Sequence, residues 1–271
     1  MFKSSLILQK VRERTPLIHH LTNYVTMGDC ADATMSIGAL PVMAEAEEEV
    51  EEMVESARAV VLNTGTLTTI RLKAMLKLAR KAKEQNIPVV LDPVGVGATS
   101  FRARAVEKIL DRETPAIIKG NQAEIRFLAG GGDAATSGIH SFAAGGDSLA
   151  DSCMLRDMLG VPVVVGATGA VDVVSDGKRT ARIYNGHPML PLIIGSGCMA
   201  GSLVAAFAAV ESDYFYAVAS ALATMGVAGE IAAERLESGR SGPAAFKKML
   251  LDALYWLEPA ELDRRARIEI Q

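Results

Sequence analysis

Four short apolar runs constrain this chain more than any other feature. Ala59-Val60-Val61-Leu62, Pro88-Val89-Val90-Leu91, Ala116-Ile117-Ile118 and Val161-Pro162-Val163-Val164-Val165 are rich in Val and Ile and do not alternate with polar residues. That pattern marks strands buried on both faces. Helical character lies between them. Residues 68–84 place Leu72, Met75, Leu76 and Ala79 on one face and Arg71, Lys73, Lys77 and Lys81 elsewhere, and residues 102–111 and 149–159 read the same way. Strand, helix and strand in succession predict right-handed crossovers and an α/β fold, a mostly parallel sheet with helices on both faces. Residues 171–174 and 180–184, with Ser175-Asp176-Gly177 between them, read as a hairpin turning at Asp-Gly. After Gly201 helices are expected over 203–210, 214–236 and 244–256.

No linker rich in Pro or Ser and no internal repeat divides the 271 residues, so one domain over 1–271 is expected. Gly130-Gly131-Gly132 and Gly145-Gly146 are loop signals. A net charge of −4 offers no basic face for nucleic acid. Cys30, Cys153 and Cys198 form no CxxC pair, which argues against a disulfide framework or structural zinc and fits a cytoplasmic protein. The N-terminal apolar run is only four residues long, too short for a signal segment. The apolar stretch 203–210 stops at Glu211 and Asp213, well short of the ~20 residues of a membrane span, so no membrane partner is expected. His19, His20, His140 and His187 show no metal-ligand spacing.

Each apolar run ends in polar or glycine residues: Asn63-Thr64-Gly65, Asp92-Pro93-Val94-Gly95, Lys119-Gly120-Asn121 and Gly166-Ala167-Thr168-Gly169. In an open parallel sheet the carboxyl ends of the strands line the ligand crevice. One such ending is an ordinary turn, but four carrying Asn, Asp, Lys and Thr favour a polar ligand. The sharpest local signal is Gly195-Ser196-Gly197-Cys198-Met199-Ala200-Gly201-Ser202, expected as a loop entering a helix at Leu203. Converging backbone N–H groups at a helix start make an anion hole. No Gly-Lys-Ser/Thr follows, so it is not a Walker loop, and the dinucleotide fingerprint fails as well.

Taken together, Thr22-Asn23, Gly38-Ala39-Leu40-Pro41-Val42-Met43-Ala44, Asn63-Thr64-Gly65-Thr66-Leu67, Asp92-Pro93-Val94-Gly95-Val96-Gly97-Ala98-Thr99, Lys119-Gly120-Asn121-Gln122-Ala123-Glu124-Ile125, Thr168-Gly169-Ala170-Val171-Asp172 and Gly195-Ser196-Gly197-Cys198 resemble the hydroxyethylthiazole kinase family, in family order. The resemblance runs from about Pro16 to the helix at 247–257. It implies a ribokinase-like three-layer α/β/α fold and a homotrimer with the substrate site between subunits. The implied activity is transfer of the ATP γ-phosphoryl group to 4-methyl-5-(2-hydroxyethyl)thiazole, with Mg²⁺, in thiamine biosynthesis or salvage.

By the same resemblance Cys198 stands where most ribokinase-like enzymes carry an aspartate base. A helix N-terminus should lower its pKa from ~8.5, so it would orient or deprotonate the alcohol. Gly195, Met43 and Asn23 match substrate-binding positions, with Asn23 also expected to cap a helix from about Val25. Lys119, Asn121 and Thr168 match ATP-binding positions, and Asp92 and Glu124 match magnesium positions. Asn121 and Glu124 share a helix face at i and i+3, where a plain capping box competes with a ligand role. The family usually has Asn at His20, Ser at Leu40, His at Glu45 and Thr at Ser196; the first three flank the expected thiazole pocket. Rival readings are a ribokinase-like enzyme for another alcohol or a pyrimidine, and a non-catalytic nucleotide-binding regulator.

Overall fold

A computed structural model describes residues 3–131, 148–236 and 241–271. Gly132, His140 and the Gly145-Gly146 loop signal lie outside the described residues. The chain runs α1 (Ser4–Arg14), β1 (Leu17–Leu21), α2 (Met27–Ser36), β2 (Leu40–Val42), α3 (Val50–Met53), β3 (Ala59–Asn63), α4 (Thr69–Glu84), β4 (Val89–Asp92), α5 (Ser100–Arg112) and β5 (Ile117–Asn121). It continues with α6 (Gln122–Leu128), α7 (Ser148–Leu159), β6 (Val164–Thr168), β7 (Asp172–Ser175), β8 (Thr180–Ile183), α8 (Ser196–Ala208), α9 (Tyr214–Glu234), α10 (Pro243–Trp256), α11 (Pro259–Arg265) and β9 (Ile268–Ile270).

Nine strands form one sheet in the order β2-β1-β3-β4-β5-β6-β7-β8-β9, parallel from β2 through β6 and antiparallel beyond. The order reverses at β1: the chain steps outward to β2, then returns to place β3 on the other side. A reversal of this kind opens a crevice at the carboxyl ends of the two strands beside it.

Side-chain alternation decides what faces that crevice. Val61, Val90 and Ile117 belong to the core under α1, α2, α8, α9 and α10, whereas Val60, Leu62, Val89 and Leu91 pack toward α4 and α5. Two residues beyond Val61, Val90 and Ile117 come Asn63, Asp92 and Lys119, which therefore turn toward α8. The same two-residue step brings His20, after Ile18, to Ser202 of α8. Helix α9 is long and apolar enough to cross a bilayer by length and composition, yet it is a core helix buried among its neighbours.

The four expected strands are present, although β6 starts three residues late, after Pro162. The hairpin is present, with residues 176–179 as its loop, where Asp176 Oδ1 accepts from the Lys178 and Arg179 N–H groups at 2.9 and 2.7 Å. The 195–202 segment departs from expectation. Helix α8 begins at Ser196, not Leu203, so its glycines are helical and not a loop. They let the helix ride directly on the sheet.

Candidate active site

Gly195 is the N-cap of α8 with φ +94°, and a Cβ there would lie 2.8 Å from Thr26 Cγ2. Only glycine satisfies both the conformation and the contact. Ser196, Gly197 and Cys198 then form the first turn, whose N–H groups have no acceptor within the helix. This turn sits over the strand ends and directs positive potential at them.

On one side of the turn are neutral groups. Cys198 Sγ lies 3.4 Å from Asn23 Nδ2 and 3.3 Å from Asn63 Nδ2. Asn23 Nδ2 also donates to Asn63 Oδ1 at 3.1 Å and to Thr26 Oγ1 at 2.8 Å. The Gly65 N–H, which can only donate, reaches Asn63 Oδ1 at 3.0 Å and so fixes which way this amide points. Gly65 is glycine for a steric reason: a Cβ there would stand 2.4 Å from Asn23 Cβ. Asn23 does not cap a helix at Val25 as expected. Its Oδ1 accepts the Thr26 N–H at 3.1 Å in a turn before α2, which starts at Met27.

On the other side are buried charges. Asn63 Nδ2 donates to Asp92 Oδ2 at 3.0 Å, and Lys119 Nζ lies 3.5 Å from the same oxygen. Lys119 also donates to the Gly197 carbonyl at 2.9 Å, tying β5 to the first turn of α8. Glu124 accepts from the Gly95 N–H at 2.9 Å with one oxygen and from the Asn121 N–H at 2.8 Å with the other. Asn121 Oδ1 accepts the Glu124 N–H at 2.9 Å, so this pair is a full capping box. Thr168, beside Asn121 in register, donates to the Gly120 carbonyl at 3.3 Å.

Burial governs the proton equilibria here. It pushes the Asp92 carboxyl up against the pull of Lys119 and Asn63. Burial, then Asp92's charge, raises Glu124 to about 7. Lys119 is pushed down by burial, but Asp92, Glu124 and Cys198 outweigh it and raise its pKa. Two carboxylates thus share one buried ammonium. Asp92 lies beside Lys119, and both carboxyls are raised, Glu124 to about 7. Cys198 corrects the sequence expectation: burial and Asp92's charge push its thiol up, more than Thr26, Lys119 and Asn63 pull it down. The thiol is the neutral-pH form.

Asp92 Oδ1 is buried with no hydrogen-bond partner, and no cluster of three or more His, Cys, Asp or Glu forms a metal cage among the described residues. One free hard oxygen and no cage fit Mg²⁺, which keeps waters and takes most ligands from phosphates. They do not fit a structural metal.

The candidate residues Asn23, Cys198, Asp92, Lys119 and Glu124 are brought into one cluster, with Asn121 at the end of the Lys119 strand, capping the helix of Glu124, and Thr168 on the next strand. Met43, just past β2, is half-buried and joins none of the hydrogen bonds above. Asn63 went unassigned in the sequence, yet it links Asn23, Cys198 and Asp92. A polar residue closing an all-apolar strand opposite Asp92 was the available signal.

The hydroxyethylthiazole kinase family model matches residues 8–260. The chain belongs to that family. A hydroxyethylthiazole kinase of Thermoanaerobacter pseudethanolicus is 45% identical over 98% of this chain and 98% of its own. One of Methanoculleus marisnigri is 48% identical over 97% and 92%. The solved structure of the hydroxyethylthiazole kinase protein from Pyrococcus horikoshii superposes with a TM-score of 0.87 at 39% identity, covering 99% and 98% of the two chains. A Staphylococcus aureus pyridoxal kinase, at 15% identity and TM-score 0.64 over 94% and 97%, shares the fold. The ribokinase-like architecture expected from the sequence is the one observed.

Proposed function

We propose that this protein transfers the γ-phosphoryl group of ATP to the hydroxyl of 4-methyl-5-(2-hydroxyethyl)thiazole, giving the thiazole phosphate and ADP. One observation carries the reading: the first turn of α8 separates a neutral Asn23–Asn63–Cys198 cluster from a buried Asp92–Lys119–Glu124 cluster. Phosphoryl transfer needs an acceptor site, a charge-neutralising site and an anion hole between them. The names of the relatives support the substrate.

The alcohol binds on the Asn23 side, against Gly195 and Met43, and Cys198 orients its oxygen. The transition state is loose, so the alcohol needs little deprotonation before attack and a neutral thiol suffices. Lys119 and the N–H groups of Ser196, Gly197 and Cys198 take the growing charge on the transferred group. Asn121 and Thr168 lie on the nucleotide side. Magnesium, when bound, would neutralise phosphate charge, with Asp92 Oδ1 and Glu124 as the oxygens this chain contributes.

Beside the acceptor side the apolar residues Tyr24, Val25 and Ile194 are exposed. Exposed apolar side chains beside a polar site suit a surface that a partner covers. The resemblance to a trimeric family makes the partner a second copy, so the thiazole pocket is completed in a homotrimer.

The test is ADP release with the thiazole alcohol, with and without chelator, beside 5-ethyl-4-methylthiazole, which lacks the hydroxyl. Release should require the hydroxyl and the divalent cation. Equal release with the ethyl analogue would sink the acceptor assignment.

A further inference from the structure

Two arginines repeat one arrangement. Arg71 and Arg102 each stand third in a helix whose N-cap is a threonine, and Thr68 and Thr99 accept their backbone N–H groups at 3.1 and 3.3 Å. A capping box would put Glu or Gln at this position. The helix dipole also favours an anion in the first turn, not a cation. Arg71 is moreover only 4% exposed. Helix formation explains neither choice.

The explanation lies in where the guanidinium groups point. Arg71 Nη2 donates to the Thr22 carbonyl and to the Glu45 carboxylate, and Nη1 donates to Thr66 Oγ1 at 2.9 Å. Its plane lies 4.2 Å from the centre of the Tyr24 ring. Tyr24 closes the set, donating its hydroxyl to Glu45 at 2.8 Å and its N–H to Thr66 Oγ1 at 3.1 Å. Arg71 therefore binds together the loops after β1, β2 and β3, which carry Asn23, Met43 and Gly65. Arg102 Nη1 donates to the Thr64 and Val94 carbonyls, and its Nη2 to that of Gly65. It joins the loops after β3 and β4, next to Asn63 and Asp92.

We propose that Arg71 and Arg102 are positioning residues that fasten the two sides of the site to the loop after β3, which they share. Arg71, balanced by Glu45, holds the loops after β1 and β2 to that loop, and Arg102 holds the loop after β4 to it. This rests on the kinase reading above. It also accounts for Glu45: a carboxylate at the family's usual histidine position answers a buried guanidinium.

The test uses the intact protein with Arg71→Met and Arg102→Met, measuring both KM values and hydrogen exchange without ligand. Arg71→Met should raise the KM for the thiazole alcohol about tenfold, leave that for ATP within about twofold, and expose the amides of 22–26 and 43–46. Arg102→Met should instead raise the KM for ATP and expose 64–65 and 93–97, leaving 43–46 protected. Glu45→Gln should shift the alcohol KM in the same direction by less, and it serves if Arg71→Met does not fold. Both KM values rising together in each variant, or exchange spreading over the whole sheet, would overturn the proposal. If wild type fails to phosphorylate the thiazole alcohol, the kinase reading fails alone, because the exchange pattern still tests the two clamps.

Discussion

The acceptor side and the phosphate side of this site lie one strand apart and are built from opposite materials. Around Cys198 the partners are two amides and a threonine, with exposed Tyr24, Val25 and Ile194 nearby. Around Asp92 three ionisable groups are each at most 4% exposed. Neutral groups are cheap to bury and orient without pulling a proton, which suits an alcohol that attacks as an alcohol. Buried charges are costly and persist only when paired. In the proposed reaction they are the groups that meet phosphate charge. Asn63 belongs to both sides, accepting from Asn23 and donating to Asp92, so the halves share one rigid amide.

The contrast is easiest to break at its charged end. Asp92→Asn keeps the shape and removes a carboxylate with a free buried oxygen, so kcat should fall about 10²–10³-fold. The KM for the thiazole alcohol should stay near wild type, as a steady-state comparison would show. A raised alcohol KM with intact kcat would place Asp92 on the wrong side.

Assembly gives the next largest effect. Val25→Glu puts a charge beside the acceptor side, and sedimentation should show the proposed trimer dissociating as the alcohol KM rises about tenfold while the KM for ATP holds. A monomer with unchanged alcohol KM would mean that one chain completes the pocket.

The smallest effect sharpens the electrostatics. Glu124 has its folded pKa raised from 4.5 to about 7, so the folded state holds more protons than the unfolded one between those values. Its contribution to stability is full below pH 4.5 and is lost as pH rises through 7. Urea midpoints of the ligand-free protein should therefore drop more between pH 5 and pH 8 in wild type than in Glu124→Gln. His19 and His20 are shifted down and contribute with the opposite slope, equally in both proteins. Equal drops would show that Glu124 is ionised throughout.

The fold was legible where strands are wholly apolar, and the site was legible because those strands end abruptly in polar residues. β3, β4 and β5 could hardly be read otherwise. β1 was hidden because His19 and His20 interrupt its apolar run. Both are buried, His19 bonded to the Ala44 carbonyl at 2.6 Å and His20 to the Ile18 carbonyl at 3.0 Å. β2 and β9 are three-residue edge strands, too short for a period to show. The start of α8 was misplaced for a different reason. Gly197 and Gly201 lower helix propensity, but they let the helix approach Lys119 and Asp92, a tertiary gain that local sequence does not display. The Cys198 pKa failed similarly: a helix N-terminus was visible, while its burial beside Asp92 was not.

The central claim is that the acceptor side orients a neutral alcohol and the phosphate side carries the charge. Cys198→Ala tests it most directly, by kcat at saturating alcohol and ATP with circular dichroism confirming the fold. The backbone anion hole survives this change, so kcat should fall about 10²-fold and remain above background. Cys198→Ser, which restores a neutral group able to hydrogen-bond the alcohol, should recover most of that loss. A Cys198→Ala enzyme reduced to background, with no recovery by serine, would contradict this reading and make the thiolate the driving base.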